Sequence, residues 1–376
     1  MSVGLPPLAV TQAVCSAFAE GARVTEVVGP WGSAKTIVAL QTARALDRSL
    51  LIVSRGRAEA EGVFEDLCTF AGESSSALFP AWEVLPSDVM PPADDIMAER
   101  MNTLERMAAA SKAGKPLHVA LPLDALLQYV PRADRLFEPS LRLRVGEEHD
   151  LEELIGKLVR LGYRRELMVE QRGEISVRGG ILDLFPISSE LPYRVEFFGD
   201  TIESIRRFEP ETQRSVESVQ EAFILPRSEK DLLEAHADGS GAIVPITAYL
   251  PDNALIVLDE PLALAEEANA IRRQVAGNRF FMSWDDALKH LDSFARLSLA
   301  QLAHDRVSSS RRITATMHAV SGWTGNMAGF WRQLTEWDKA GYRVVLIGHT
   351  PGERKRLLEL LEGQGYRPGH DRFDLR

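Results

Sequence analysis

The spacing of hydrophobic and polar residues divides this chain into segments of different structure. Up to about residue 140, short apolar runs alternate with longer segments in which apolar residues recur every three or four positions. Such an order predicts parallel strands connected by amphipathic helices. The predicted strands are residues 23–28, 50–53 and 117–121, and the predicted helices are residues 34–46, 57–71, 94–110 and 123–130. We therefore expect an α/β domain over residues 1–140.

After a predicted helix at residues 151–161, strict alternation of apolar and polar residues replaces this pattern. Successive side chains of a strand point to opposite faces, so Tyr193, Val195 and Phe197 share a core face. Ile175 and Val177 occupy the same face in the preceding strand. The opposite, outward face then carries Glu174, Ser176, Arg178, Arg194, Glu196 and Phe198. Residues 141–226 are thus expected to form an α+β domain whose sheet has one apolar face.

The outward face of this sheet has two interpretations. Arginine and aromatic side chains are enriched at protein interfaces, so Arg178, Arg194 and Phe198 are candidate partner-binding residues. Single exposed apolar residues are also common on solvated surfaces, and an ordinary solvent-facing sheet is the alternative.

Beyond residue 226 the α/β pattern returns. A buried strand at residues 254–258 and a helix at residues 261–276 predict that residues 227–307 complete the first domain. A serine- and arginine-rich joint then begins at residue 308. A strand at residues 342–347 and a helix at residues 353–362 follow it, so residues 308–376 are expected to be a linker and the start of a further α/β domain.

The composition of the chain limits the classes of molecule that it is expected to bind. The 376 residues include 43 Lys and Arg against 54 Asp and Glu, a net charge of -11, which argues against broad nonspecific binding to DNA or to an anionic membrane. Cys15 and Cys68 are the only cysteines, and no Cys/His cluster has metal-ligand spacing, so neither disulfides nor a metal site are expected. No signal peptide or membrane-spanning apolar run is evident. These features predict a cytoplasmic location and protein partners.

One candidate for chemistry lies at residues 29–36, GPWGSAKT, between a predicted strand and a predicted helix. A phosphate-binding loop has this context, with Gly29 and Gly32 in the loop, Lys35 reaching the phosphates and Thr36 reaching Mg²⁺. Ala34 stands where the motif has glycine, and its methyl group restricts a backbone that must wrap the phosphate closely. The segment therefore predicts either weak binding of ATP and Mg²⁺ or a helix N-terminus kept for structure.

A second candidate is the pair Asp259 and Glu260 at the end of a predicted strand. A magnesium-holding Asp followed by a water-orienting Glu has this layout. Acidic residues are also favoured before a helix by its dipole, which is the structural alternative. We expect no turnover of ATP by these residues alone, because hydrolysis of this type needs charge stabilisation from a second domain. No catalytic residue is assigned, and no cofactor is required by this interpretation.

Six sequence motifs occur in order along the chain: VTEVVGPWGSAKT at residues 24–36, LFPAWEVLPSD at 78–88, MAERMNTLERM at 97–107, RGEISVRGGILDLFP at 172–186, LPYRVEFFGDTIESIRRF at 191–208 and VLDEP at 257–261. Together they resemble the UvrB-like N-terminal module of bacterial transcription-repair coupling factors. The resemblance implies a degenerate phosphate-loop domain of the RecA and UvrB type with an inserted docking domain for UvrA. Arg178, Arg194 and Phe198 match the family's UvrA-contacting positions.

The resemblance also implies a function in transcription-coupled nucleotide excision repair. The family protein is an ATP-dependent DNA translocase that releases stalled RNA polymerase, and the polymerase-binding and motor domains are expected to follow residue 376. This chain is then expected to recruit UvrA. Within residues 141–226, 12 Lys and Arg against 17 Asp and Glu give a charge of -5, which favours a protein over DNA as the partner. The alternative is a phosphate-loop ATPase that acts on DNA directly.

Overall fold

The computed structural model describes residues 5–82, 93–229, 232–233, 243–303, 311–317, 320, 326–348, 351–366 and 373–375. The chain divides into two compact units, Met1–Met317 and His318–Arg376. Most of the LFPAWEVLPSD motif, at residues 83–88, and the start of the serine-rich joint, at residues 308–310, lie outside the described residues.

The first part of the larger unit alternates helices and strands. Its elements are α1 (Ala9–Ala19), β1 (Val24–Val28), α2 (Ser33–Ala45), β2 (Leu50–Ser54), α3 (Arg57–Ala71), a 3-10 turn (Glu73–Ser75), β3 (Ser76–Leu78), α4 (Asp94–Ala113), β4 (His118–Pro122), α5 (Leu123–Leu127), β5 (Tyr129–Pro131) and α6 (Ala133–Phe137).

The middle part is rich in strands. It contains β6 (Leu141–Arg144), α7 (Leu151–Arg160), β7 (Arg164–Arg165), β8 (Glu174–Arg178), β9 (Ile181–Leu184), β10 (Tyr193–Phe198), β11 (Thr201–Phe208), β12 (Ser215–Val219) and β13 (Glu221–Ile224). The chain then continues through β14 (Ile243–Pro245), a 3-10 turn (Ile246–Tyr249), β15 (Leu255–Asp259), α8 (Pro261–Gln274), α9 (Trp284–Leu291), β16 (Ala295–Ala300) and β17 (Arg311–Thr314).

Seven of these strands form one parallel sheet in the order β17-β1-β16-β15-β2-β4-β3. Every residue of β2 and β4 is buried, as expected of parallel strands that are covered by helices on both faces. Strands from before residue 140 and from after residue 250 interleave in this sheet, while residues 141–224 contribute none of its strands.

The middle part folds around its own core. Its six-stranded sheet has the order β12-β11-β10-β9-β8-β7, in which β8 to β12 are antiparallel to one another and the edge strand β7 is parallel to β8. Helix α7 packs on one face through Leu154, Ile155 and Leu158, which meet Val195 and Ile175 of the sheet. The predicted α/β class is confirmed by this combination of a large parallel sheet and an antiparallel sheet.

A fully buried ion pair connects the two parts. Arg100 on α4 donates to Glu229, just past β13, from Nε at 2.7 Å and from Nη2 at 2.9 Å. Neither side chain is exposed to solvent. The guanidinium also lies 4.2 Å from the ring centroid of Phe79 and 5.0 Å from that of Trp82. Because an unpaired buried charge is costly, this pair holds the end of the middle part against α4.

Two segments differ from their predicted structure. Helix α5 ends at Leu127, and residues 129–131 form β5, which pairs with β14, although the apolar spacing predicted helix up to residue 130. Residues 311–314, placed by composition in a linker, form the edge strand β17 beside β1. Ion pairs from Arg311 to Glu20 and from Arg312 to the buried Glu26 fasten that strand to the sheet.

The smaller unit has two helices and two strands in the described residues: α10 (Met327–Lys339), β18 (Val344–Leu346), α11 (Pro351–Gly363) and β19 (Phe373–Leu375). The strands pair in parallel, with Val344 opposite Phe373, so α11 is the crossover that a parallel pair requires. Leu334, Val344 and Leu361 form its core. In the described residues of both units, every helix is too short or too polar to cross a membrane.

Candidate functional site

Strands β8, β9 and β10 bring the three predicted interface residues to the same sheet. The register places Ser176, Asp183 and Arg194 in one row across the strands. Arg178, Ile181 and Glu196 form the next row, and Phe198 lies two residues farther along β10. Arg178 and Arg194 therefore flank β9 on the outward face of the sheet.

The turn between β8 and β9 explains the glycines of the RGG sequence. Gly179 has a φ of +62°, a conformation that favours glycine. A Cβ atom on Gly180 would lie 2.9 Å from the carbonyl oxygen of Phe197, whose own N–H donates to the Gly180 carbonyl at 2.8 Å. Glycine at position 180 thus allows the end of β10 to approach the turn closely.

Asp183 is the organising residue of the face, and the sequence interpretation missed it. Its side chain is only 1% exposed, and it accepts hydrogen bonds from both arginines. Arg178 Nη2 donates to Oδ2 at 2.6 Å. Arg194 forms the two-point contact that suits a carboxylate, from Nε to Oδ1 at 2.7 Å and from Nη2 to Oδ2 at 2.9 Å. The signal for Asp183 was its outward position in β9, between two arginine-bearing strands.

The two arginines have different surroundings. The side chain of Arg194 is 16% exposed, donates to the Gln213 carbonyl at 3.2 Å, and stacks on Phe208 with 4.5 Å between the guanidinium carbon and the ring centroid. Hydrogen bonding to Asp183 raises the pKa of Arg194 above its usual value. The side chain of Arg178 is 52% exposed. One N–H contact to Asp183 leaves most of the Arg178 donors facing solvent.

Phe198 occupies the end of β10 and is 80% exposed. The irregular pairing between β10 and β11 leaves Glu203 of β11 without an opposite residue, so β10 keeps its own alternation. Phe197 accordingly packs against the core while Phe198 faces solvent. Beside them, Glu196 accepts a hydrogen bond from Ser204 Oγ at 2.8 Å and another from Arg206, and these bonds lower the Glu196 pKa.

Part of the outward face is covered rather than solvated. Glu174 is 8% exposed and Ser176 is 2% exposed, whereas alternation alone placed both facing outward. The loop between β7 and β8 crosses them: Ser176 Oγ donates to the Leu167 carbonyl at 2.8 Å, and Glu174 Oε2 accepts from the backbone N–H of Glu170 and of Gln171. The open part of the face is therefore the end that contains Arg178 and Phe198.

The predicted phosphate-loop residues also come together, at the carboxyl edge of the parallel sheet. Lys35 Nζ contacts Asp259 Oδ1 at 2.5 Å and Glu260 Oε1 at 2.8 Å. Burial acts to lower the Lys35 pKa, but the hydrogen bonds to both carboxylates outweigh it and raise the pKa. Burial raises the pKa of Asp259, while Lys35 opposes that rise. Thr36 is buried one residue farther along α2.

The backbone around this ion cluster is close-packed. Gly32 precedes α2 with a φ of +50°, and Gly29 has a φ of +104°. A Cβ atom on Gly29 would lie 2.3 Å from the carbonyl oxygen of Ala315, just beyond β17. Glu260 Oε1 additionally accepts from the Gln301 N–H at 2.8 Å. The charges of Lys35, Asp259 and Glu260 are thus paired with other groups of the chain, and the backbone at Gly29 packs closely against Ala315.

Comparison with known proteins places the outward face within a recognised domain. Residues 141–229 match the model of the UvrB interaction domain. Over 214 residues, the chain is 32% identical to a transcription-repair-coupling factor of Staphylococcus aureus strain USA300, covering 57% of this chain and 18% of that protein. A transcription-repair-coupling factor of Bacillus subtilis strain 168 is 28% identical over 218 residues, covering 58% of this chain and 18% of that protein. The predicted resemblance to this family is confirmed, and the matched region spans less than a fifth of these relatives.

Proposed function

We propose that this chain recruits a UvrA-type protein in transcription-coupled nucleotide excision repair. The observation that carries the proposal is the arrangement of Arg178, Asp183 and Arg194 beside the exposed Phe198, inside the region that matches the UvrB interaction domain. We further propose that, within a longer protein like the matched relatives, this recruitment occurs at RNA polymerase stalled on damaged DNA. The proposal places polymerase and DNA contacts outside the region that matches these relatives.

The chemistry of the open face suits a protein partner. Arg178 and the exposed Phe198 share this open face, and exposed aromatic and arginine side chains are typical of the few residues that dominate interface energies. One carboxylate is shared by two guanidinium groups, so the cluster keeps a net charge of about +1 that a carboxylate on the partner would neutralise. The negative balance of the surrounding domain disfavours a nucleic-acid backbone at the same face.

Direct ATP chemistry on DNA is the alternative function, and the geometry does not favour it. A phosphate at residues 29–36 would need the Lys35 ammonium, which Asp259 and Glu260 now hold. Ala34 replaces the glycine that close wrapping requires. These contacts favour a structural role for the segment as an internal ion cluster over a site for ATP and Mg²⁺.

Calorimetric titration of purified UvrA with this chain tests the proposal. We expect the wild-type chain to bind and the Arg178→Ala, Phe198→Ala double variant to bind at least tenfold more weakly. The matched control is the Val159→Ala, Arg160→Ala double variant, which removes an apolar residue and an arginine from the exposed side of α7 on the opposite face of the sheet. The proposal fails if the wild-type chain does not bind, or if the two double variants bind equally.

A further inference from the structure

The loop between β7 and β8 presents two bulky apolar side chains to solvent. Leu167 is 96% exposed and Met168 is 42% exposed. Among the residues that the structure describes, Leu167 and Phe198 are the two most exposed large apolar side chains. Both lie on the outward side of the same small sheet. Apolar side chains exposed together beside polar residues are a mark of interaction surfaces.

The backbone of this loop is fastened on both sides of Leu167. Its own carbonyl accepts from Ser176 Oγ at 2.8 Å, and Glu166 N–H donates to the Ile175 carbonyl at 2.8 Å. Farther on, Val169 is fully buried in a small apolar cluster with Phe185 and Phe208. The exposure of Leu167 is therefore not a consequence of a loosely held segment. A side chain on a fixed backbone also loses less conformational freedom when it binds.

Arg194 belongs to the support of this loop. It donates to the Gln213 carbonyl at 3.2 Å and to Gln213 Oε1 at 3.3 Å, and Gln213 Nε2 donates to the Val169 carbonyl at 3.2 Å. The Arg194 guanidinium stacks on Phe208, which belongs to the same small buried cluster as Val169. Arg194 thus connects Asp183 to the loop, while little of its own side chain reaches solvent.

The sheet register places Arg178 between the two apolar residues. Ser176, which binds the Leu167 carbonyl, and Arg178 lie on the same face of β8, about 7 Å apart. On the other side, the row of Arg178 continues through Ile181 to Glu196, and Phe198 follows on β10. Across the open face, the order is Leu167, Arg178, Phe198.

We propose that Leu167 is a second apolar anchor of the docking face and that Arg194 is a positioning residue that holds the loop bearing it. The inference rests on the proposed function and defines the chemistry of the partner surface. That surface presents a carboxylate to Arg178 between two apolar pockets, one for Phe198 and one for Leu167, because the shared carboxylate of Asp183 leaves positive charge on the face.

Titration of UvrA with single variants of the full chain tests the anchor. Leu167→Ala is expected to weaken binding about tenfold, and Leu167→Met, which restores the apolar volume, to stay within about threefold of wild type. Val159→Ala, an exposed apolar truncation on α7, serves as the control and should bind as wild type does. Thermal unfolding of all three should match wild type, since surface truncations change stability little.

The Phe198→Ala variant distinguishes failure of the Leu167 anchor from failure of the docking function. If the wild-type chain binds UvrA and Phe198→Ala weakens binding, but Leu167→Ala binds as wild type does, the anchor is overturned and the docking function stands. If the wild-type chain does not bind UvrA, the docking function itself fails.

Hydrogen exchange tests the positioning role of Arg194. Arg194→Ala should speed exchange of the Glu170 and Gln171 amide hydrogens at least tenfold, and unchanged exchange would overturn that role.

Discussion

Arg178 and Arg194 match the same sequence pattern, but their substitution by alanine should have unequal effects on stability. Arg194 gives the buried Asp183 carboxylate two hydrogen bonds, at 2.7 and 2.9 Å, whereas Arg178 gives it one and is half exposed. Arg194→Ala therefore leaves a nearly inaccessible carboxylate with a single, solvent-screened partner. Arg178→Ala leaves the two-point contact with Arg194 in place.

The expected magnitudes follow from the burial of each pair. Hydrogen bonds to charged groups contribute about 1.5 to 3 kcal/mol each, and breaking a buried ion pair costs about 3 to 5 kcal/mol. Because Arg178 can still partly neutralise Asp183, we expect Arg194→Ala to reduce the local opening free energy by about 3 kcal/mol. Half of the Arg178 side chain is exposed, so solvent screens its bond to Asp183 and Arg194 still neutralises that carboxylate; we therefore expect Arg178→Ala to cost at most about 1 kcal/mol, as for an exposed ion pair.

Hydrogen exchange of the amides in β9 and β10 measures these changes without requiring the whole chain to unfold in one step. A loss of 3 kcal/mol corresponds to exchange roughly 100-fold faster, while 1 kcal/mol corresponds to about fivefold. The reasoning is refuted if Arg178→Ala and Arg194→Ala accelerate exchange equally, or if Arg194→Ala changes it by less than fivefold. An Arg160→Ala variant on α7 provides the baseline for losing an exposed arginine from this domain.

Two further predictions concern the larger α/β part. Lys35→Ala removes the cation that pairs with Asp259, so hydrogen exchange should show that the amides at the end of β15 open about 2 kcal/mol more easily. The variant and the wild-type chain should bind ATP equally weakly. Tight ATP binding by the wild-type chain alone would contradict the structural role of Lys35. Burial lowers the pKa of His118 from 6.5 to about 4, so the neutral form supports folding and this stability is lost as pH falls below 6.5. Between pH 7 and 5 the loss is about 2 kcal/mol, and His118→Gln should remove that part of the pH dependence of unfolding seen by calorimetry.

Alternation along a strand was sufficient to predict which residues of β10 face outward. Period-2 spacing fixes relative direction, so Arg194 and Phe198 were placed together without knowledge of any neighbouring strand. The alternation does not predict whether another segment of the chain covers a face of the sheet. Glu174 and Ser176 follow the same alternation and yet are buried, because a loop without regular spacing crosses them. The exposure of Leu167 depends on that same tertiary contact.

The spacing of residues along one strand also did not determine how the strands pair with each other. The role of Asp183 depends on the register of three strands, which is fixed by the two-residue glycine turn and by the core residues beneath. Likewise, residues 311–314 have the composition of a linker but pair with β1 as an edge strand, and ion pairs to Glu20 and Glu26, about 290 residues earlier in the sequence, fasten that strand. Contacts between residues so distant in sequence leave no local pattern.

If the proposed docking function is right, the exposed fraction of each side chain separates the residues that support the open face from those available to a partner. Asp183 at 1% and Arg194 at 16% belong to the first group, while Arg178 at 52%, Phe198 at 80% and Leu167 at 96% belong to the second. Loss of UvrA binding in an Arg194 variant would not identify Arg194 as a contact, because the same loss follows when the supported loop moves. Arg194→Lys distinguishes the two cases: lysine keeps the charge that a partner carboxylate needs but cannot bridge Asp183 and Gln213 as the fork does. A support role predicts weakened binding in the lysine variant together with faster loop exchange, and a contact role predicts near-normal loop exchange.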